Sequence, residues 1–219
     1  MNAQRTILAA TLAAFGWLAP IGLAQTCSAQ IRVNEILADP GFDWNGDGTV
    51  SSRDDEWVEI VNAGSTPVVL DEYRLTDAAS TSFRFGFSGT LSPGAVRVVY
   101  GSASVAWESA NGQSSVGLSL NNTGDTVQIW RVAGIDTLLV DSYTYAAFEV
   151  LDDRSTARMP DGGPTWVLFD ARTPYTGTTP PLGTGCPPTP GGSNACPTAV
   201  ESVEWGAIKR LYGDPAEQR

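Results

Sequence analysis

Histidine is absent from this 219-residue chain. That removes the usual general base, the usual proton shuttle and the commonest transition-metal ligand. A conventional Ser or Cys triad is excluded with it. Basic residues are scarce as well, 13 Lys and Arg against 24 Asp and Glu, for a net charge of −11. A surface so acidic repels nucleic-acid phosphates and anionic lipid headgroups, and suits cation binding and solubility. Cysteine occurs only at positions 27, 186 and 196. No internal repeat and no long helical pattern is visible.

One uncharged apolar stretch, Thr6 to Ala24, follows a basic start that ends at Arg5. A basic lead, an apolar core and small residues form the layout of a secretory signal peptide. The alternative is a retained membrane anchor, since the run borders on the roughly 18–20 residues that a span needs. Cleavage after Ala24 or Ala29 fits, and Ala29 is preferred because Gln30 then begins the first strand. It also discards Cys27 and leaves an even pair, Cys186 and Cys196, expected to form a disulfide in an oxidising compartment. Closing so short a ring contributes about 3 kcal/mol in the chain-entropy treatment. The expected location is therefore outside the cytoplasm, secreted or at the cell surface.

What the chain has in quantity is short β-prone runs. They are Ile31 to Leu37, Trp57 to Asn62, Val68 to Thr76, Phe83 to Phe87, Ala95 to Tyr100, Ser115 to Leu120, Thr126 to Arg131, Leu138 to Tyr145 and Trp166 to Phe169. Several alternate, with Phe83, Phe85 and Phe87 on one face, as half-buried strands do. Turn-forming clusters separate them, such as Ser92-Pro-Gly94 and Pro160-Asp-Gly-Gly-Pro164. The pattern predicts an all-β antiparallel sandwich over residues 30–171. Residues 172–200 are rich in Pro, Gly and Thr and read as a linker, extended or ordered by the disulfide. At 201–219 the residues Trp205, Ile208, Leu211 and Tyr212 form an apolar stripe, which predicts a short amphipathic C-terminal helix. It would pack on the sandwich or serve as a docking or sorting signal.

The strongest local signal is Asp43-Trp-Asn45-Gly-Asp47-Gly48-Thr49-Val50-Ser51-Ser-Arg-Asp54. Calcium takes six to eight hard oxygen ligands. In an EF-hand-type loop Asp43, Asn45 and Asp47 converge on one point and Gly48 permits the sharp turn. Thr49 offers its carbonyl, Ser51 contributes directly or through water, and Asp54 closes the shell. Val50 is expected to anchor the loop to the body. These twelve positions resemble the calcium loop of cellulosomal dockerins. The dockerin partner helix is missing, because Asp55 to Asn62 reads as a strand, so cohesin binding is not implied.

The flanks carry a second resemblance. Val33-Asn-Glu-Ile36, Glu56-Trp-Val-Glu-Ile-Val-Asn62, Val69-Leu-Asp-Glu-Tyr-Arg-Leu-Thr-Asp77, Leu91-Ser-Pro-Gly94, Leu118-Ser-Leu-Asn-Asn-Thr-Gly-Asp-Thr-Val127, Val140-Asp-Ser-Tyr143 and Arg158-Met-Pro-Asp-Gly162 leading to Trp166 occur in order. Together they resemble the bacterial lamin-tail domain, the immunoglobulin-like module shared with nuclear lamins. The resemblance implies an immunoglobulin-like sandwich without catalysis, acting in attachment or binding. Bacterial relatives often carry an Asp/Asn-rich calcium loop between the first two strands. The expected function is a calcium-stabilised binding or structural module in surface attachment, adhesion or assembly, with a cell-surface, matrix or protein partner. The alternative is an accessory substrate-contact subunit of a secreted hydrolase or nuclease.

Two acids near the loop, Glu35 and Glu59, suggest acid–base chemistry or a second ion. The simpler reading has them accepting hydrogen bonds from backbone or from Arg158. Glu35 is expected to share a strand face with Ile31 and Val33, and Glu59 one with Trp57 and Val61. Asn34, Asn62 and Asn122 are expected to bind turn backbones. Trp44 is expected to pack the loop onto the sandwich, the alternative being a stacking platform for carbohydrate.

Overall fold

The computed structural model describes residues 30–196. The expected signal peptide and the expected C-terminal helix lie outside the described residues. Eleven strands and one α-helix build the body. In chain order they are β1 Ile31–Leu37, β2 Trp57–Asn62, β3 Val68–Val69, β4 Tyr73–Asp77, β5 Phe85–Gly86, β6 Thr90–Leu91 and β7 Val96–Tyr100. Helix α1 Gly101–Ala110 follows, then β8 Gly124–Ala133, β9 Asp136–Ala146, β10 Ser155–Arg158 and β11 Trp166–Phe169. A five-stranded sheet runs β11-β10-β1-β2-β7 and a four-stranded sheet runs β5-β4-β8-β9, with a small β3-β6 pair beside them. All strand pairings are antiparallel. The expected all-β, immunoglobulin-like sandwich is the observed fold.

The core lies between the two large sheets. Val58 and Ile60 of β2, Leu75 of β4 and Val127 and Ile129 of β8 share one buried cluster with Leu70, Leu118 and Val150. Each fully buried Val, Leu or Ile contributes roughly 1.5–3 kcal/mol relative to exposure, so this layer supplies the main driving force.

A β-bulge in β1 decides which way the acids face. Val33 is opposite Ile60, yet Glu35 is opposite Glu59, so Asn34 is the extra residue. Before the bulge Ile31 and Val33 point into the core; after it Ile36 and Ala38 do. An inserted residue re-aims the side chains that follow. Glu35 therefore does not share a face with Ile31 and Val33 as strict alternation predicts. It lies with Glu59 on the outer face of the five-stranded sheet.

That outer face is covered by the chain's own residues 172–196. Asp170, just after β11, accepts backbone N–H bonds from Tyr175 (2.7 Å), Thr184 (3.1 Å) and Gly185 (2.7 Å). Gly183 forms a parallel bridge to Leu168. It has no room for a side chain, since a Cβ would sit 2.2 Å from the Asp170 carboxylate. Cys186 is bonded to Cys196 and packs with Ala157 and Phe169. Pro/Gly/Thr-rich composition reads as a linker, but here it is a third layer.

Two further differences from the sequence reading have local causes. Residues 115–120 form no strand, because Gly117 (φ 82°) and Ser119 (φ 60°) adopt left-handed backbone that a strand excludes. Helix α1 has no apolar stripe to announce it: its buried residues are Gly101, Ser104 and Glu108. Gly101 is required there, since a Cβ would lie 1.8 Å from the Arg53 carbonyl.

Asp170→Ala removes a buried acceptor of three backbone N–H groups. It is expected to cost about 3 kcal/mol in urea denaturation and to make residues 174–185 the first site of limited proteolysis. An unchanged midpoint and cleavage pattern would show that the third layer is held by other contacts.

Candidate functional site

The 43–54 loop is organised by short polar side chains that bond to its own backbone. Asp43 accepts N–H bonds from Gly46 (2.8 Å), Asp47 (3.1 Å) and Gly48 (2.8 Å). Asn45 Oδ1 accepts from Asp47 N–H, and Asp47 Oδ1 from Thr49 N–H, both at 2.8 Å. Gly46 (φ 74°) and Gly48 (φ 92°) take the left-handed conformations that glycine adopts without strain. Ser51 Oγ accepts the Asp54 N–H at 3.1 Å.

Asp54 is engaged by a neighbour. Arg53 holds it through Nε at 2.7 Å and Nη2 at 3.1 Å, and that pairing, above all, lowers the Asp54 carboxyl below its ordinary range. Asp55 holds the loop closed instead. It is fully buried and accepts the Asn45 N–H at 2.9 Å and the Ser51 N–H at 2.8 Å. Sequence reasoning placed Asp55 at the start of a strand and missed it; an acid one step beyond the twelfth position was the available signal. Among the described residues no group of three or more His, Cys, Asp or Glu side chains is drawn together closely enough to hold a metal ion. The oxygen donors of Asp43, Asn45, Asp47, Thr49 and Ser51 suit calcium chemically, while Asp54 is engaged by Arg53.

Several contacts seat the loop on the body. The Trp44 indole donates to Asp153 Oδ1 at 2.7 Å and meets Phe42 and Trp57 edge-on, at centroid distances of 5.6 and 6.1 Å. Arg172, from the third layer, lies 4.6 Å over Phe42 and 5.5 Å over Trp44. Asp153 itself adopts φ 53° and also accepts the Gly41 N–H at 2.9 Å. Ser102 at the start of α1 donates its N–H to the Asp54 carbonyl at 3.0 Å. Trp44 is thus the packing residue. Val50 is not the expected anchor, since it is 56% exposed; indole packing and the Asp55 clasp fix the loop instead.

The second cluster lies under the disulfide-closed segment. Glu35 and Glu59 are both fully buried. Glu35 accepts from the Ser155 hydroxyl and from Thr189 N–H at 3.1 Å. Glu59 accepts from Asn34 Nδ2 at 2.8 Å and Gly191 N–H at 2.7 Å. Arg158 is not their partner. Its guanidinium donates to the carbonyls of Val33 and Gly163 and pairs with Asp141 at 3.1 Å. Burial pushes Glu35 up to about 8, with Glu59 beside it adding to the effect, and pushes Glu59 up to about 7. Neither acid has a hydrogen bond to residues 43–54; their partners are Asn34, Ser155, Thr189 and Gly191. Asn34 Oδ1 accepts Gly162 N–H, and Asn62 binds Thr66, Leu91 and Gly64 backbone, as turn-binding asparagines do.

The fold is an antiparallel, immunoglobulin-like sandwich. Comparison with known families matches residues 24–147 to the Lamin Tail Domain, more than half of the chain. The chain belongs to the lamin tail domain family, whose domain is noncatalytic. No curated protein and no solved structure matches it.

The loop geometry separates the roles of two neighbouring acids. Without added metal, Asp55→Ala is expected to lower stability by about 2–3 kcal/mol through two orphaned N–H groups, whereas Asp54→Ala, which loses only a partly exposed ion pair, should change little. Equal losses in urea denaturation would remove the assignment of the clasp to Asp55.

Proposed function

We propose that this chain works as an exported, noncatalytic binding or structural module in cell-surface attachment, adhesion or assembly, with the 43–54 loop stabilised by calcium. The observation that carries this reading is the use made of the acids. Glu35, Glu59, Asp43, Asp55, Asp153, Glu149 and Asp170 all accept backbone N–H groups, some within their own turn and some from distant segments. Groups committed in this way hold a shape and leave the sheet surfaces and loops to make contacts. The Cys186–Cys196 bond supports an oxidising location. No described helix is long and apolar enough to cross a membrane.

Calcium in this reading is a stabiliser. Asp43, Asn45, Asp47, the Thr49 carbonyl and Ser51 are the residues that would hold it, with Asp54 joining on release from Arg53. The ion would add positive charge among carboxylates that otherwise repel one another.

Two measurements test the proposal. Pulldown of envelope and matrix components with the oxidised protein, with and without chelator, is expected to recover a surface component. Nuclease or glycosidase activity in the purified protein that Glu59→Gln abolishes would overturn the noncatalytic role. For the ion, chelation is expected to lower the melting temperature, by the equivalent of about 2.7 kcal/mol when calcium is at 100 times its dissociation constant. Asp47→Ala should abolish the difference, and a wild-type protein that melts alike in calcium and chelator would sink the calcium assignment.

A further inference from the structure

The contacts of Glu35 fix its protonation by counting hydrogens. Thr189 Oγ1 lies 2.8 Å from Glu35 Oε2 and 2.9 Å from Asn194 Oδ1. A threonine hydroxyl has one hydrogen to donate. Asn194 cannot supply the other, because its amide nitrogen faces two carbonyl oxygens, those of Arg158 at 2.9 Å and Asn34 at 3.2 Å. Its Oδ1 is therefore turned toward Thr189 as an acceptor, and the residue is buried. Were Glu35 ionised, Thr189 would satisfy one of the two oxygens and leave the other against it with no hydrogen between them. Glu35 Oε1 already accepts from Ser155 Oγ and Thr189 N–H. The one consistent arrangement is a relay: protonated Glu35 Oε2 donates to Thr189 Oγ1, Thr189 donates to Asn194 Oδ1, and Asn194 donates to the carbonyls of Arg158, at the end of β10, and of Asn34, in the β1 bulge.

We infer that the disulfide-closed segment Cys186–Cys196 is a proton-latched cap, held on β1 and β2 by neutral Glu35 through Thr189 and Asn194 and loosened when Glu35 ionises. The surroundings favour the neutral form. Glu59 on β2 faces Glu35 directly, and two carboxylates at that distance resist double ionisation. Asp161 lies beyond Glu59, sharing the Asn34 amide and accepting Asn194 N–H at 3.0 Å and the Ser193 hydroxyl at 2.7 Å. Tyr100, ending β7, adds no positive charge; its own hydroxyl is raised by burial and by Glu59. From β10 come Ser155, a neutral donor, and Arg158, whose charge is paired with Asp141. Among the described residues the hydrogen-bond partners of both glutamates are neutral. The raised position of Glu35, about 8, agrees with the count. Opening the cap uncovers the strip of β1 and β2 that carries Asn34, Glu35 and Glu59.

The direction of the pH effect follows from the closed form holding the proton more tightly than the open one. Closure is at full strength below the ordinary carboxyl value of 4.5 and weakens as pH rises toward about 8, where Glu35 ionises in place. Above that it levels off. Glu59, raised to about 7, adds to the decline in the lower part of the window.

Hydrogen exchange on the oxidised full chain tests this through the amides of Thr189, Gly191 and Asn194, corrected for intrinsic rates. Their protection is expected to fall across pH 5–8 by up to about tenfold per pH unit for each acid, while core amides such as Ile60 stay unchanged. Glu35→Gln places a permanent N–H donor on Thr189 and should keep the cap protected with a shallower slope; Glu35→Gln with Glu59→Gln should be flat. A slope in Glu35→Gln equal to that of wild type would overturn the latch. A second readout needs only the wild-type protein and folded comparison variants. Infrared difference spectra between pH 6 and pH 10 should show the carbonyl band of a protonated buried carboxylic acid at pH 6. That band should persist in Glu59→Gln and lose intensity in Glu35→Gln, the remainder belonging to Glu56, which burial also raises to about 8. Its absence from wild type at pH 6 would also refute the relay.

Discussion

Glu35 and Glu59 stand opposite one another in the five-stranded sheet, on a face where water does not reach them. Removing a carboxylate from water costs several kcal/mol unless hydrogen bonds replace the lost hydration. No backbone N–H of β1 or β2 is among the donors to either acid. The replacements come from Asn34 in the bulge, from Ser155 on β10 and from the Thr189 and Gly191 backbone. The third layer is therefore a chemical requirement of the sheet it covers. The disulfide shortens the search for that arrangement by closing a small ring around it, which restricts the unfolded chain.

The same economy recurs elsewhere. A chain with few cations cannot neutralise most of its acids by ion pairing; Arg53, Arg84, Arg131 and Arg158 engage only Asp54, Asp77, Glu108, Glu72 and Asp141. The acids turn to backbone N–H groups. Asp43 and Asp55 gather one loop, Asp153 fastens it to the body, Asp170 gathers the third layer, and Glu149 caps the turn after β9 while receiving the Tyr143 hydroxyl. Such bonds are about twice as strong as neutral ones, and each fixes an irregular segment that no ladder reaches. Acidic composition here is partly a means of holding loops.

The elements legible in the sequence were those specified by apolar side chains close in the chain. Ile31–Leu37, Trp57–Asn62 and Trp166–Phe169 are strands over the limits that their composition suggests. Beyond them, legibility fails for stated reasons. The bulge at Asn34 leaves no mark in hydropathy, yet it moves Glu35 from one face to the other. Helix α1 buries Gly101, Ser104 and Glu108, small and polar residues chosen by what they touch. The cap is invisible because Thr189 meets Glu35 across 154 positions, and its Pro and Gly content is what a linker would also have. In the loop, the twelve-position pattern identified the residues that shape the turn but not Asp55, whose burial is a property of the fold around it.

The family match ends at residue 147, yet the sheet does not. β1 has β2 on one side and β10 on the other, and β10 begins at Ser155. Without β10 and β11, β1 would be an edge strand with a row of unpaired backbone groups, an invitation to pairing with another chain. The later residues therefore complete the sheet that the matched region begins. They also bring the stack of Trp166 on Tyr143, with ring centroids 3.6 Å apart, and Arg158 over the same indole, which ties the two sheets together at their open side. With β1 paired on both sides and the strip of Asn34, Glu35 and Glu59 covered by the cap, that strip opens to a partner where the cap lifts. What governs the cap thereby governs access to the strip beneath it.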